Sequence, residues 1–290
     1  MPSRRFKQVD VFTQRPFFGN PVAVVLDAQD LTSEEMQRIA AWTNLSETTF
    51  VLPASAKQAD YRLRIFSPKQ ELSFAGHPTI GSAHAVIESG LAAPHNGRLR
   101  QKCLAGVIDL SVEETATGKR IFLKTPEAKI SPLDNDIAGL MPAALGLKQP
   151  FSDPPARVDV GVVWLVAQLE SGNAVAALQP DMDTVLKLSI STNATGITVF
   201  GKSDDDVSGL HVRSFAPALG VAEDPVCGSG NASVGAFLVH TGKNPYGNDF
   251  IGRQGMQVGR DGQVWVCLEN NAVQIGGYAI TCVDGTLRTD

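Results

Sequence analysis

The sequence predicts an α+β protein of two similar halves, each a sheet arranged around one buried helix. Three observations carry this. Strand-like runs outnumber helical ones, two helical segments are almost without charge, and a set of residues recurs 149 positions downstream. At 290 residues the chain is about twice a typical single-domain length, so two domains are expected.

The strands announce themselves in order. Val9, Val11 and Phe12 lead into a turn between Pro16 and Pro21, and Pro21–Leu26 is a short apolar, β-branched run. Tyr61, Leu63 and Ile65 alternate with Arg62 and Arg64, the period of a strand with one buried face. Further strands are expected at Lys119–Lys124, Val158–Ala167, Thr195–Phe200, Leu210–Phe215, Gln263–Leu268 and Val273–Cys282. Three helices stand out. Thr32 with Glu35 three residues on is a capping box, and Met36, Ile39 and Ala40 mark the single apolar stripe of a surface helix. Pro78–Ser89 carries Ile80, Ala83, His84 and Ile87 at helical spacing, has Glu88 as its one charge, and can end at Gly90. Ser229–Thr241 has no charge and can end at Gly242. Helices that are small or apolar all round belong in an interior, here one walled by strands.

These two helices sit in register within the repeat. Asn44, Thr49 and Arg64-x-Phe66-x-Pro68 recur as Asn193, Thr198 and Arg213-x-Phe215-x-Pro217. After a short insertion Gly76 falls opposite Gly228. The Pro-rich stretch Thr125–Pro155 is where the halves should change over, with a helical piece around Asp136–Leu147 inside it.

Composition narrows the function. Apolar residues at 43% and charged residues at 19% exclude a disordered chain. Lys and Arg number 25 against 30 for Asp and Glu, a net charge of −5 with no basic run, which disfavours nucleic acid and anionic membranes as partners. Cys103, Cys227, Cys267 and Cys282 form no CxxC pair and no metal-like spacing with the histidines, so no metal is expected. Scattered cysteines fit a reducing compartment. Met1–Asp10 has no apolar signal core, and the longest apolar stretch, Val160–Leu169, is too short to span a bilayer. A cytoplasmic protein is expected.

In each half a strand is followed by a proline, a glycine-bearing turn and the buried helix. The turns are Phe74-Ala75-Gly76-His77-Pro78-Thr79 and Asp224-Pro225-Val226-Cys227-Gly228-Ser229-Gly230-Asn231. Glycine lets backbone approach a ligand, and a helix start offers unpaired N–H groups that hold a carboxylate without Lys or Arg. If the halves face each other, two helix starts converge on a small anionic substrate; otherwise the glycines serve helix packing alone. Glu47 lies in Asn44-Leu45-Ser46-Glu47-Thr48-Thr49-Phe50, and the repeat sets Gly196 opposite it, so this carboxylate belongs to one half. Held near apolar walls, a carboxylate becomes a better base for a C–H proton; in a loop it could equally be solvated. His77 could relay a proton as a neutral ring or cap the helix, whereas His84 reads as a packed histidine. Asp224, extended before Pro225, could orient a substrate or cap its turn. Cys227, next to a helix start, could be a thiol of lowered pKa, but its counterpart is Ala75, which removes a two-thiol mechanism.

Together these segments resemble the PhzF-like phenazine-biosynthesis isomerase family, within the diaminopimelate epimerase-like fold. The stretches are Val9-Asp10-Val11-Phe12-Thr13 with Gly19-Asn20-Pro21, Asn44 to Thr48, Phe74 to Thr79, Arg213-Ser214-Phe215-Ala216-Pro217, and Glu223-Asp224-Pro225 through Gly228-Ser229-Gly230. The resemblance implies two pseudo-symmetric domains, each a curled, mostly antiparallel sheet around a central helix. They would cover residues 1–124 plus a strand at about 279–290, and residues 125–278. It implies an isomerase without cofactor or metal, often a homodimer, acting on a substrate like trans-2,3-dihydro-3-hydroxyanthranilate. Glu47 would remove and return the proton. His77, Asp224 and Ser229 would bind substrate and help relay protons, and Gly76, Gly228 and Gly230 would supply backbone contacts. Related epimerases carry a cysteine at both helix starts; with Cys227 alone, diaminopimelate epimerase or proline racemase activity is not expected. A catalytically silent ligand-binding or scaffold dimer of the same fold, and a Cys227-dependent enzyme, remain alternatives.

Overall fold

The computed structural model describes residues 3–54, 59–203, 209–270 and 272–289. Along the chain come β1 (Ser3–Val11), β2 (Asn20–Val25), α1 (Ser33–Thr43), β3 (Thr48–Leu52), β4 (Tyr61–Phe66), β5 (Glu71–Leu72), α2 (Gly76–Glu88), β6 (Arg98–Cys103), β7 (Gly106–Thr115) and β8 (Gly118–Lys124). The second half runs β9 (Lys129–Pro132), α3 (Asn135–Ala144), β10 (Ala156–Asp159), β11 (Val163–Gln168), α4 (Gly172–Ala176), α5 (Met182–Ser191), β12 (Gly196–Lys202), β13 (Gly209–Ala216), β14 (Val221–Asp224), α6 (Gly228–Thr241), β15 (Asp249–Gln254), β16 (Gly262–Glu269) and β17 (Ala272–Gly277), before β18 (Ala279–Arg288). The class is α+β. Residues 1–123 with 276–290 form one compact unit and residues 124–275 another.

Each unit repeats one topology. In the first, the strand order is β18, β1, β2, β3, β4, β6, β7, β8, antiparallel except where β2 meets β3 and β4 meets β6. In the second it is β9, β10, β11, β12, β13, β15, β16, again parallel only at β11–β12 and β13–β15. Parallel neighbours need a helical crossover. The crossovers are α1 and α2 in one unit, and α4 with α5, then α6, in the other. The short strands β5 and β14 lie beside β4 and β13.

The charge-poor helices occupy the interior. α2 touches β18, β1, β2, β3 and β4, and buries every residue from Pro78 to Ala83. α6 touches β10, β11, β12, β13 and β16, and buries every residue from Gly230 to Leu238. Strands covered on both faces lose their alternation, which is why β12 and β13 are buried almost throughout. On the opposite face of the first unit, Met36 and Ala40 of α1 meet Val25, Phe50 and Phe66. In the second, Val185 and Leu188 of α5 meet Ala167, Val199 and Phe215. The Thr32–Glu35 capping box of α1 is present in both of its bonds.

The repeated residues do repeated work. Asn44 and Asn193 both take left-handed backbone, φ 54° and 50°, where a helix has just ended. Arg64 grips Glu71 through two nitrogens and lies 5.0 Å over the Phe66 ring; Arg213 grips Glu223 likewise and lies 4.9 Å over Phe215. Gln101 of β6 donates to Thr79 of α2, and Gln254 of β15 accepts from Asn231 of α6, at matching points of the two helices.

Two expected strands divide. Val158–Ala167 is broken at Gly161, whose φ of +89° a side chain resists, and becomes β10 and β11. Val273–Cys282 is interrupted at Tyr278, whose carbonyl accepts from Phe12 at 2.8 Å. The helix expected from Pro78 begins at Gly76, and that expected from Ser229 begins at Gly228. The helical piece around Asp136–Leu147 is Asn135–Ala144. Among the described residues no helix is long and apolar enough to cross a membrane.

The two Arg–Glu pairs differ in burial, 6% and 7% exposed for Arg213–Glu223 against 15% and 23% for Arg64–Glu71. Arg213 also donates to the carbonyls of Val175 and Leu178. Arg213→Ala leaves a buried carboxylate alone and should cost about 3–5 kcal/mol. Arg64→Ala should cost clearly less in the same urea-unfolding measurement. Equal losses would contradict this ranking.

Candidate active site

In the first unit the left-handed Asn44 closes α1, and its N–H meets the Ala40 carbonyl at 3.3 Å. The chain turns there and brings Glu47 to the foot of β3, where its carbonyl accepts from Ala23 N–H. α2 starts from Ala75, which has no side-chain acceptor, so Gly76 and His77 enter the helix with N–H groups that lack intrahelical partners. Thr79 makes the first helical bond, to the Ala75 carbonyl at 3.3 Å.

Glu47 and His77 meet. Glu47 Oε2 lies 3.4 Å from His77 Nε2, and the side chains are 17% and 10% exposed. The distance is that of a contact, but the angles are not those of a hydrogen bond. Both atoms are buried without a hydrogen-bond partner among the described residues. A buried carboxylate oxygen and ring nitrogen in that condition are unusual in a folded protein. Such a pair is free to accept a proton and pass it on.

The repeat explains why only one unit carries the acid. At Gly196, opposite Glu47 in the repeat, a Cβ would overlap the Phe215 carbonyl and stand 3.0 Å from the Trp164 ring.

In the second unit β14 ends at Asp224, whose Oδ1 accepts from Val226 N–H at 3.1 Å. The aspartate therefore closes its own turn. Cys227 is the N-cap of α6, and its Sγ accepts from Gly230 N–H at 3.2 Å. Gly228 and Ser229 follow with N–H groups outside the helical ladder. A Cβ at Gly230 would overlap Ser214 Oγ and crowd Thr198 Oγ1 and Cys227 Sγ, so glycine is required there. Ser229 Oγ accepts from the Trp164 indole N–H at 3.0 Å and lies 3.5 Å from Cys227 Sγ.

Gln254, which the sequence reading did not single out, fastens this turn. Its Oε1 accepts from Cys227 N–H and from Asn231 Nδ2, both at 3.1 Å, and its Nε2 donates to the Asp224 carbonyl at 2.8 Å. No motif marks it, because its bonds reach residues 23 to 30 positions back in the sequence.

The Cys227 thiol behaves oppositely to the lowered pKa a helix start could give. Burial pushes it well above the ordinary thiol range, and the Asp224 charge adds to the rise. It is held as a protonated cap, which argues against a thiolate nucleophile. His84 is a half-buried member of a polar network. Its Nε2 lies 3.2 Å from Thr281 Oγ1 and 3.9 Å from Glu88, which also pairs with Lys7. Burial lowers the His84 pKa. Among the described residues no group of three or more His, Cys, Asp or Glu is placed to hold a metal ion.

The duplicated sheet-and-helix fold is of the PhzF and epimerase-like class. The family profile described as "Phenazine biosynthesis-like protein" matches residues 9–285, and the chain belongs to that family, the PhzF family of isomerases. It is 43% identical to the protein named Antisense-enhancing sequence 1 of Schizosaccharomyces pombe, over 98% of this chain and 99% of the relative. It is 32% identical to the trans-2,3-dihydro-3-hydroxyanthranilate isomerase of Pseudomonas aeruginosa, over 97% and 98%. A crystal structure of a Bacillus anthracis phenazine biosynthesis protein of the PhzF family superimposes with a TM-score of 0.87 at 26% identity, covering all of both chains.

The thiol reading gives a direct check. At pH 8 Cys227 should resist iodoacetamide while the half-exposed Cys267 and Cys282 are alkylated, as peptide mass mapping will show. Alkylation of Cys227 faster than of the other two would contradict a protonated, buried cap.

Proposed function

We propose that the chain is a cofactor-independent isomerase that moves a proton within a small, carboxylate-bearing ring substrate of the dihydro-hydroxyanthranilate kind. The observation that carries this is the Glu47–His77 pair, buried side by side with no hydrogen bond at the facing atoms. Glu47 takes a proton from one ring carbon as its carboxylate. The C–H electron pair moves into the conjugated system, and the same proton returns to another carbon on that face. No electron leaves the substrate, so the step balances without an oxidant or reductant. His77 steadies the acid form of Glu47 and passes protons to the substrate's polar groups.

In this reading Gly76 offers a helix-start group in the first unit and Gly228, Ser229 and Gly230 offer them in the second; such groups favour an anion. Asp224 shapes the turn before α6 and, in this reading, orients a polar substituent. The P. aeruginosa relative supports the substrate class, since its name states that reaction. The S. pombe relative's name states no reaction, which is the one reason to keep a ligand-binding reading beside the catalytic one. The sheltered Glu47–His77 pair favours catalysis.

Glu47→Gln should bind the substrate's carboxylate as the parent does and lose about 10²–10⁴-fold in turnover. Proton NMR in deuterated water should show label entering the substrate with the parent protein and none with the variant. Turnover retained in Glu47→Gln contradicts the assignment. Substrate binding without any exchange in the parent protein favours the ligand-binding reading.

A further inference from the structure

The two units place different chemistry at the same point of the repeat. By register, Val22 of β2 stands one step before the pair Ala23–Thr48, beside Glu47. The matching pair in the second unit is Trp164 of β11 and Gly196 of β12. One unit thus has a small strand residue beside an acid, the other a large ring beside a glycine. The large ring fits because Gly196 is glycine; a Cβ would press on it. Each arrangement reaches the second residue of the buried helix. Glu47 reaches His77, and Trp164 reaches Ser229. Where one unit sets a proton acceptor against the helix start, the other sets an N–H donor.

The donor decides what Ser229 does. A serine hydroxyl can give one proton and accept at its oxygen. The indole N–H takes one of the oxygen's two lone pairs at 3.0 Å, and an indole cannot accept the hydroxyl proton in return. The hydroxyl proton is left to point elsewhere. Within reach inside the protein is Cys227 Sγ at 3.5 Å, a weak acceptor that already takes the Gly230 N–H. A ligand carboxylate is a far stronger acceptor, through a charge-assisted bond. Ser229 is half-buried between the buried Gly228 and Gly230, so its hydroxyl can reach a ligand.

We propose that Trp164 is a positioning residue that fixes Ser229 as a hydrogen-bond donor, and thereby makes the start of α6 selective for a substrate's ionised carboxylate over its neutral ester or amide. The inference rests on the reading of Ser229 as a substrate-binding residue, and its test leaves the proton-transfer reading aside. Trp164 touches no substrate; it acts through Ser229. Trp164→Phe keeps an aromatic ring, though a smaller one, and removes the N–H, after which the Ser229 proton can rotate inward and its oxygen can face the ligand.

The probes are 3-hydroxyanthranilate, an aromatic acid that cannot undergo the proton shift, and its methyl ester. Calorimetry on the full chain should show the parent binding the acid more tightly than the ester. Trp164→Phe should weaken the acid about 10-fold and leave the ester nearly unchanged. Ser229→Ala should do the same, and the double variant should be no weaker than Ser229→Ala alone, the sign of one shared interaction. Nitrogen–proton NMR supplies a second readout should Trp164→Phe not fold. Ser229→Ala must move the Trp164 indole signal and speed its exchange, while those of Trp42 and Trp265 stay. Unchanged acid affinity in Trp164→Phe, independent losses in the double variant, equal losses for acid and ester, an unmoved indole signal, or no binding of the acid to the parent would each overturn the proposal. Solvent-deuterium exchange decides the proton-transfer reading separately. Exchange lost in Glu47→Gln with no effect of Trp164→Phe on the acid removes this inference alone. The reverse pattern removes the isomerase reading alone.

Discussion

A helix surrounded by strands can meet a ligand only at its ends. α2 and α6 are buried along their sides, with Pro78–Ala83 and Gly230–Leu238 out of solvent. Their backbone N–H groups are satisfied within the helix except in the first turn, where they have no partner further back in the chain. The unpaired N–H groups that these helices offer are therefore gathered at their starts, around Gly76–His77 and Gly228–Ser229. Small residues in the first turns follow from the same constraint. At Gly230 a side chain would strike Ser214 and crowd Cys227, which is itself needed as the cap.

The duplicated frame frees each copy for a different task. Shared parts are those that hold the frame together: the left-handed asparagines, the Arg–Glu grips over phenylalanine rings, and the glutamines tied to the helices. The copies part company at one strand-pair position, Val22 with Glu47 in one and Trp164 with Gly196 in the other. The acid could not be moved to the second unit by a single substitution, since a glutamate side chain at Gly196 has no room.

Much of the frame was legible because its signals are local. The Thr32–Glu35 box, the charge-free helices and the recurrence of Arg-x-Phe-x-Pro needed no partner from elsewhere. The strands β6 and β7 were not, because each buries only two apolar residues, Leu99 and Cys103 in β6 and Leu110 and Val112 in β7, among polar and charged neighbours. Helix α5 escaped notice because its inward set is as short as Val185, Leu188 and Ser189. Within the candidate site, Glu47 and His77 could be named separately from their segments, and the 3.4 Å approach between them is what the structure adds. Trp164 and Gln254 carry no motif. They act through bonds to residues 65 and 27 positions away in sequence, Ser229 and Cys227, which a reading along the chain cannot see.

In the proposed reaction one sheltered carboxylate both removes and returns the proton. The most direct measurement is a single turnover of dihydro-hydroxyanthranilate labelled with deuterium at the carbon that loses its proton, run in ordinary water. With Glu47 and His77 only 17% and 10% exposed, part of the label should appear at the new position in the product. Complete loss of the label to solvent within the first turnover would contradict a shielded, single-residue shuttle.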